Sequence, residues 1–426
     1  MLASPDQDLA DRQPLLPGLA TALDPRALAR AVRSHGLALP SDAEVAYIRF
    51  KPSTSCLVAY RLAGEAGPPS FYATVYQRAS TKLSKSRTRK VVHTMYGPGR
   101  TILSDESMSV CVFPNDDHMP VLFRLADVKK REKLLRAVQA DRKSGPEAEL
   151  SVLAYKPERR CVLKHTSRSG RVTVIRTYDK RGFGPALGSA SHFARRGGGG
   201  FQKLLGSDSR HRMLAMAWCD GQMLEEELSS GRARLSDVAL AGALLGDLHC
   251  EEPGPLAEWN ATTARRRVNE ILRAFHLLCP DLVPRAAALA RRVSRSVGAI
   301  TPGRATLHGD FNARQVIVGD GVASFIDLDE AASGPPAIDL GSFIAHLGVA
   351  AARRVITQSA ATRAIDALLG GYESRTSLPS SNDLRASTAL AFLSLAHEPF
   401  RRHTTGWPAE ISSILDLAEQ QLEGDA

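Results

Sequence analysis

The stretch "LHGDFNARQVIV", residues 307–318, runs on into "GDGVASFIDLDE", residues 319–330. Two apolar, β-branched runs, "QVIV" and "VASFI", flank Gly319-Asp320-Gly321, a triplet suited to a tight reversal, so the segment predicts a β-hairpin. With the turn centred on Asp320, position 315 lies opposite 325 and Asp327 falls two residues beyond that partner, roughly 6–7 Å along the strand. Asp310, in the loop ahead of the hairpin, is expected at the same edge. Two carboxylates and the Gln315 carboxamide are thereby predicted to converge.

That set suits phosphoryl transfer, in which catalysis is mainly positioning and charge neutralisation. Catalytic loops of this kind place an Asp beside the attacking hydroxyl and, five residues on, an Asn that holds magnesium. Asp310 would orient the hydroxyl and accept its proton, and His308 would organise the loop. Asp327 and Gln315 would hold the metal, which prefers hard oxygen donors and keeps several waters. Gln ends in the same carboxamide as Asn and is longer by one methylene, about 1.5 Å, so the backbone need only retreat by that much. Farther on, "AIDLGSFIAHLGVAAARRV" predicts a helix beginning near Asp339, whose carboxylate is expected to cap it.

Upstream, two segments look alike. "FKPSTSCLVAYRL" (50–62) is followed by "FYATVYQR", and "YKPERRCVLKHTS" (155–167) by "VTVIRTYDK", with Lys51 and Lys156 105 residues apart. Alternating β-branched and aromatic residues between turn residues predict hairpins in both. Either a repeated β-rich module or a chance likeness of short strands accounts for the match. Beyond residue 225 the pattern turns helical: "LSDVALAGALLGDLH" (235–249) has apolar residues at helical spacing with Ser236 as its expected cap, and the tail "SSILDLAEQQLEG" is amphipathic and ends at a Gly. The organisation expected is α+β: a β-rich cap module over 1–145, a β-rich lobe and hinge over 146–225, and a helical lobe over 226–426 carrying the catalytic loop. Two lobes imply a cleft, where small ligands usually bind.

No long apolar run indicates a membrane span and the first residues lack the pattern of a secretory signal, so a cytoplasmic protein is expected. The cysteines form no C-x-x-C pair, which points away from a zinc site or a disulfide framework. The net charge of +10 comes largely from scattered arginine clusters, such as "ARRRV" and "FRRH". Scattering, with few aromatics interleaved, makes a nucleic-acid partner the weakest reading.

The motifs resemble those of the aminoglycoside phosphotransferase and choline-kinase-like superfamily, which has a protein-kinase-like fold. Members show H-G-D-x-x-x-x-N, a short hairpin, I-D-x and a G-D-P-x-x-D-L-type segment; here stand His308-Gly309-Asp310, Gln315, Ile326-Asp327 and "SGPPAIDLGSFIAHL". A subgroup of uncharacterised bacterial phosphotransferases is more similar still, with Gln at position 315 and modules like "RFKPSTSC", "FPNDDHMPVL" and "YKPERRC" upstream. The resemblance implies ATP and Mg2+, transfer of the γ-phosphoryl group to a hydroxyl, and an inter-lobe hinge in "LAMAWCDGQML", with Trp218, Cys219 and Asp220 at the adenine. Asp339 and Asp329 are expected to support the site, with Asn312 and Arg314 as candidate acceptor contacts; "HEPFRRH" (397–403) places Glu398, Arg401 and Arg402 at a helix end, either as a surface ion-pair set or facing the acceptor.

There are departures. The strand lysine that meets phosphates is replaced by Arg176, which keeps the charge with a forked geometry. No acid lies between Asp179 and Asp208 to partner it, and the first module has Thr74 at the matching place. Neither hairpin has a Gly-rich nucleotide loop, and "KPERRC" offers Lys156, Arg159 and Arg160 instead. "RRGGGGFQKL" (195–204) reads as a flexible loop or a phosphate cradle. The expectation is a kinase acting on a small hydroxylated metabolite, neutral or anionic (sugar-like) rather than a polycationic aminoglycoside, because a basic chain repels the latter. A catalytically inactive nucleotide- or metabolite-binding regulator is the alternative, and the oligomeric state stays open.

Overall fold

A computed structural model describes residues 2–65, 67–78, 80–87, 90–138, 149–195 and 199–423. The chain forms an α+β structure of two compact units. One comprises residues 1–184, 205–217 and 398–408, the other 185–204, 218–397 and 409–426. The modules expected over 1–145 and 146–225 therefore share a unit, except for the stretches 185–204 and 218–225.

The first unit holds two five-stranded antiparallel sheets. One is built from β1 (Glu44–Lys51), β2 (Ser55–Arg61), β3 (Phe71–Tyr76), β4 (Arg100–Leu103) and β5 (Met108–Val112), in the order β1-β2-β3-β5-β4. The other has β6 (Glu149–Lys156), β7 (Arg160–Thr166), β8 (Val172–Tyr178), β9 (Leu204–Asp208) and β10 (Met213–Ala217), in the order β6-β7-β8-β10-β9. The register repeats as well. Lys51 faces Ser55 as Lys156 faces Arg160, and Thr74 lies between Leu57 and Ser109 as Arg176 lies between Val162 and Leu214. Left-handed backbone recurs at Ser53 and Glu158, and at Ser107 and Arg212, again at the spacing of Lys51 and Lys156. Short strands that merely looked alike would not share order, register and turn conformation. The copies differ in their bulges, which interrupt β1 between Val45 and Tyr47 and β6 between Val152 and Ala154.

The sheets pack with unlike faces. Leu57, Ala59, Tyr72 and Cys111, on the face that carries Thr74, join a core with Tyr155, Cys161, Leu163, Ile175, Met213 and Ala215 and with helices Val121–Ala126 and Val128–Ala137. By strand alternation, Arg176 is on the other face of the second sheet. The opposite face of the first sheet is covered at Tyr60, which stacks on Phe71 with centroids 4.8 Å apart and donates its hydroxyl hydrogen to Ala22 O in helix Leu19–Leu23.

A buried carboxylate joins the two sheets. Asp116 Oδ1 accepts from the N–H groups of His118 (2.7 Å) and Met119 (2.9 Å), while Oδ2 accepts from Tyr155 Oη and Glu158 N, each 2.8 Å away. Burial raises the Asp116 pKa, and the hydrogen bond from the Glu158 N–H offsets part of that rise. Glu158, in the β6–β7 turn, reaches the first sheet, pairing with Arg49 Nη2 at 2.5 Å and accepting from Thr74 Oγ1 at 3.3 Å. The segment 398–408 belongs to the same unit through Trp407 Nε1, which donates to Asp6 Oδ1 at 3.0 Å, and through Phe400 against Phe50.

The second unit is mainly helical. Helices Leu235–His249 and Gln358–Glu373 pack so closely that a Cβ on Gly242 or on Gly371 would run into the facing backbone carbonyl of Leu368 or Ala239. Ser236 does not cap the first of these, as the sequence suggested: the helix starts at Leu235, its N-cap is Arg234, and no side chain caps it. The short strands are β11 (Gln222–Met223), β12 (Ala257–Glu258), β13 (Ala305–Leu307), β14 (Val316–Gly319), β15 (Val322–Phe325) and β16 (Ala332–Gly334), in two sheets ordered β11-β14-β15 and β12-β16-β13. The last helix is Trp407–Leu422; Gly424, its expected end, lies outside the described residues, as do Arg196, Gly197 and Gly198 of the glycine run. Among the described residues no helix is long and apolar enough to cross a membrane.

Candidate active site

The hairpin expected at 316–325 is present, with its register shifted by one residue. Val316 faces Phe325, Gly319 faces Val322, and the reversal falls on Asp320-Gly321, both left-handed at φ 50° and 75°. A two-residue turn of that kind matches the twist of the flanking strands. Gln315 consequently lies opposite Ile326, whose N–H donates to Gln315 O at 2.9 Å. Asp327 is one residue beyond that partner, nearer than the two predicted.

The strand ends at Phe325, and Asp327 follows two residues on. Its backbone is left-handed (φ 61°, ψ 47°) and leads into the 3-10 turn Leu328–Glu330, which contains the half-buried Asp329. A non-glycine residue held in this region costs energy that the surroundings must over-determine, and such positions cluster at functional sites. Here Ser189 donates its hydroxyl hydrogen to Leu328 O.

The loop ahead of the hairpin is held from below by Asp339. The sequence suggested that this carboxylate caps its own helix, yet that helix begins at Ala337 without a side-chain cap. Fully buried, Asp339 instead accepts from His308 N at 2.6 Å on Oδ2 and from Gly309 N at 2.9 Å on Oδ1. His249 Nε2 lies 3.1 Å from the same Oδ2, and its Nδ1 is 3.0 Å from the hydroxyl of Tyr372. A bond across 90 residues leaves no local signal in the sequence, so nothing there marks His249 as a partner of Asp339.

His308 turns away from solvent, with Nε2 3.0 Å from Ile326 O. Its side chain therefore ties the loop to the residue preceding Asp327. Gly309 has φ +83°, and a Cβ there would strike the backbone carbonyl of Glu330, so only glycine fits. Phe311 is buried against Phe325 and Phe343, with ring centroids 5.1 and 5.5 Å away, while its neighbour Asp310 is exposed. Asn312 closes the loop: its Nδ2 donates to Asp310 O at 2.8 Å and its Oδ1 accepts from Arg314 N at 3.1 Å. Arg314 lies 3.4 Å from Glu225 in an exposed pair, which contributes little.

These contacts bring together His308, Asp310, Asn312, Gln315, Asp327 and Asp339. Gln315 ends the 3-10 turn that leads into β14 and Asp327 precedes the 3-10 turn that follows β15; a carboxamide and a carboxylate are a donor set that suits a hard divalent cation retaining waters. Among the described residues no group of three or more His, Cys, Asp or Glu is placed to hold a metal ion.

Trp218 and Cys219 are half-buried and Asp220 is exposed, in the extended stretch between β10 and β11. Arg176 is buried in the first unit, as are the expected contacts Glu398 and Arg401 at least in part; these two pair with each other, and Arg401 Nη2 also donates to Tyr47 Oη at 2.9 Å.

Residues 189–377 match the profile of the phosphotransferase enzyme family. An amicoumacin kinase solved with AMP-PNP and Ca2+ superposes with a TM-score of 0.51 at 12% identity, over 71% of this chain and 96% of its own. A choline kinase from Cryptosporidium parvum Iowa II gives 0.50 at 9% identity, over 69% and 95%. An aminoglycoside phosphotransferase solved with AMP-PNP and hygromycin B gives 0.49 at 13% identity, over 65% and 95%. Among curated protein sequences none matches this chain.

Proposed function

We propose that this chain, whose residues 189–377 match the profile of the phosphotransferase enzyme family and whose fold is similar to that of an amicoumacin kinase, is a member of the aminoglycoside phosphotransferase and choline-kinase-like superfamily that transfers the γ-phosphoryl group of ATP, with magnesium, to a hydroxyl of a small neutral or anionic metabolite. The observation that carries this reading is the bracing of one loop by another. Asp339 fixes the His308 and Gly309 amides, His308 fixes Ile326, and Gln315 faces Ile326, so the loop bearing Asp310 and the edge bearing Gln315 and Asp327 are set by one hydrogen-bonded framework.

In this reading Asp310 orients the acceptor hydroxyl and takes its proton as the oxygen bonds to phosphorus. The exposed carboxylate suits that role, since its substrate must reach it from solvent. Gln315 and Asp327 would hold magnesium, which when bound neutralises charge on the phosphates. Trp218, Cys219 and Asp220 would line the adenine, and Arg176 would meet phosphate. The net charge of +10 supports a neutral or anionic acceptor, because a polycationic one needs an acidic surface to draw it in.

The test is ADP release from ATP and magnesium across a panel of sugars, other hydroxylated metabolites and aminoglycosides. Turnover that appears with one acceptor class and falls by about 100-fold or more in Asp310→Asn is expected. Turnover confined to aminoglycosides would refute the charge argument. The replacements at Arg176 and Gln315 favour a second reading, a non-catalytic binding protein. It would be marked by magnesium-dependent ATP binding unchanged in Asp310→Asn, with no acceptor phosphorylated.

A further inference from the structure

Asp327 stands in left-handed backbone between two neighbours that one stretch of chain holds. On its amino-terminal side, the Phe325 N–H donates to Gly200 O at 2.7 Å and the Phe325 carbonyl accepts from Gln202 N at 3.0 Å. Residues 200–202 thus add a parallel bridge to the outer edge of β15. On its carboxyl-terminal side, Leu328 O accepts from the Ser189 hydroxyl, in helix Phe183–Ala194. Ser189 and Phe193 are four residues apart and so share one face of that helix. Phe193 packs on Phe201 and Phe201 on Phe325, with ring centroids 5.3 and 6.2 Å apart. That face therefore reaches both sides of Asp327, through an aromatic column before it and a hydrogen bond after it.

The other bonds around Asp327 act on one side or within the turn. Gln315 O and His308 Nε2 fix Ile326, ahead of Asp327. Leu328 O also accepts from Ala331 N at 3.1 Å, which closes the 3-10 turn on itself without placing it against anything else. Ser189 supplies that placement from outside, and it is buried with its acceptor. The helix, FGPALGSASHFA, contains no Asp, Glu, Lys or Arg, so what it gives the site is geometry and not charge. Gly200 serves the same end: its φ is +96° and a Cβ there would meet the Leu244 side chain, so glycine lets this backbone close on β15. Left-handed backbone at a non-glycine residue persists where its surroundings over-determine it, and holding both flanking peptides does so.

We propose that Ser189 is a positioning residue for Asp327: together with the bridge at residues 200–202 it clamps the turn, so that the Asp327 carboxylate is presented to magnesium in one orientation. The inference rests on the kinase reading and adds to it a residue that touches neither metal nor substrate.

Two measurements on the full chain test it. The first is hydrogen exchange, read by mass spectrometry without metal. Ser189→Ala should speed exchange at residues 326–331 about fivefold, the loss of one hydrogen bond, and leave helix Leu235–His249 unchanged. The second is AMP-PNP binding by calorimetry at rising magnesium. Ser189→Ala should raise the magnesium concentration at half-saturation about tenfold, the low end of what outer supports of a metal ligand contribute, and leave the affinity at saturating magnesium within about twofold. Ser189→Thr, which keeps the hydroxyl, should restore both. The control is Ser394→Ala, which removes the same atom from a bond to Leu390 O (2.8 Å) in helix Ser381–Leu395 and should move neither. Unchanged exchange at residues 326–331, or an equal change in Ser394→Ala, would overturn the proposal. Faster exchange with an unchanged magnesium titration would also overturn it where Asp327→Asn does shift that titration. If Asp327→Asn leaves it unchanged too, the metal assignment of the kinase reading has failed, and the exchange measurement alone decides whether Ser189 holds Asp327.

Discussion

Asp339→Asn isolates the framework beneath the candidate catalytic loop. The carboxylate sits among donors only: His308 N and His249 Nε2 on Oδ2, and Gly309 N on Oδ1. Asparagine has one acceptor oxygen. Placed at the Oδ2 position, it satisfies His308 and His249 but turns its own NH2 toward the Gly309 amide. A buried N–H left without an acceptor costs about 1–3 kcal/mol. The second helical unit is of a size at which each kcal/mol moves the melting temperature by about 2–4 °C, so a mid-range loss near 2 kcal/mol predicts a drop of about 4–8 °C. The amide released belongs to the residue before Asp310, so the loop shifts as well. A displacement near 1 Å costs about 100-fold in turnover. Thermal unfolding followed by circular dichroism, together with ADP release, measures both. A variant that melts within about 1 °C of the parent, on the same scale of degrees per kcal/mol, and turns over normally would refute the bracing role of Asp339.

Three further outcomes are expected. Asp327→Asn should raise the magnesium concentration needed for half-maximal activity or nucleotide binding by about tenfold or more, because a carboxylate ligand outweighs a carboxamide for a hard cation; an unchanged magnesium titration would remove Asp327 from the metal. Asp116→Asn should destabilise the first unit by about 1–3 kcal/mol in urea unfolding, as the Glu158 N–H loses its acceptor, and an unchanged midpoint would show that the β6–β7 turn is held by other contacts. In the native protein at pH 8, iodoacetamide should label the exposed Cys250 while sparing Cys56 and Cys111, whose thiols burial pushes up to about 12; equal labelling on peptide mass spectrometry would contradict that burial.

The parts legible in sequence were those set by local chemistry. Gly309, Asp310 and the two apolar runs around Asp320-Gly321 mark a loop and hairpin because φ preference and β-branching act over a few residues. The register was misjudged by one position, since a Gly-Asp-Gly triplet permits several turns and only the Val316–Phe325 pairing selects one. Similar Lys-Pro-x-x-x-Cys stretches disclosed the two like hairpins. They could not disclose that unlike faces of the sheets pack together, because that depends on which face Leu57 and Leu163 turn to a common core. Partners distant in the chain left no trace. Asp339 looked like a helix cap, and its use by His308 and Gly309 is visible only once the helix is folded against the loop. Asp116 attracted no attention within "FPNDDHMPVL", although the Tyr155 hydroxyl and the Glu158 amide both converge on it.

Nesting unlike faces has a topological consequence. Two spoons laid one in the other leave a bowl open at one end and a back exposed at the other, and nothing in that geometry limits the stack to two. Here the outer side of the first sheet, with Val58, Tyr60, Phe71 and Val75, is closed off where the helix Leu19–Leu23 packs on β2 and β3. That amino-terminal helix serves as a terminator in the way that end repeats stop a solenoid. A chain shortened by its first forty residues would offer a bare apolar side to further copies and would be lost to head-to-tail assembly.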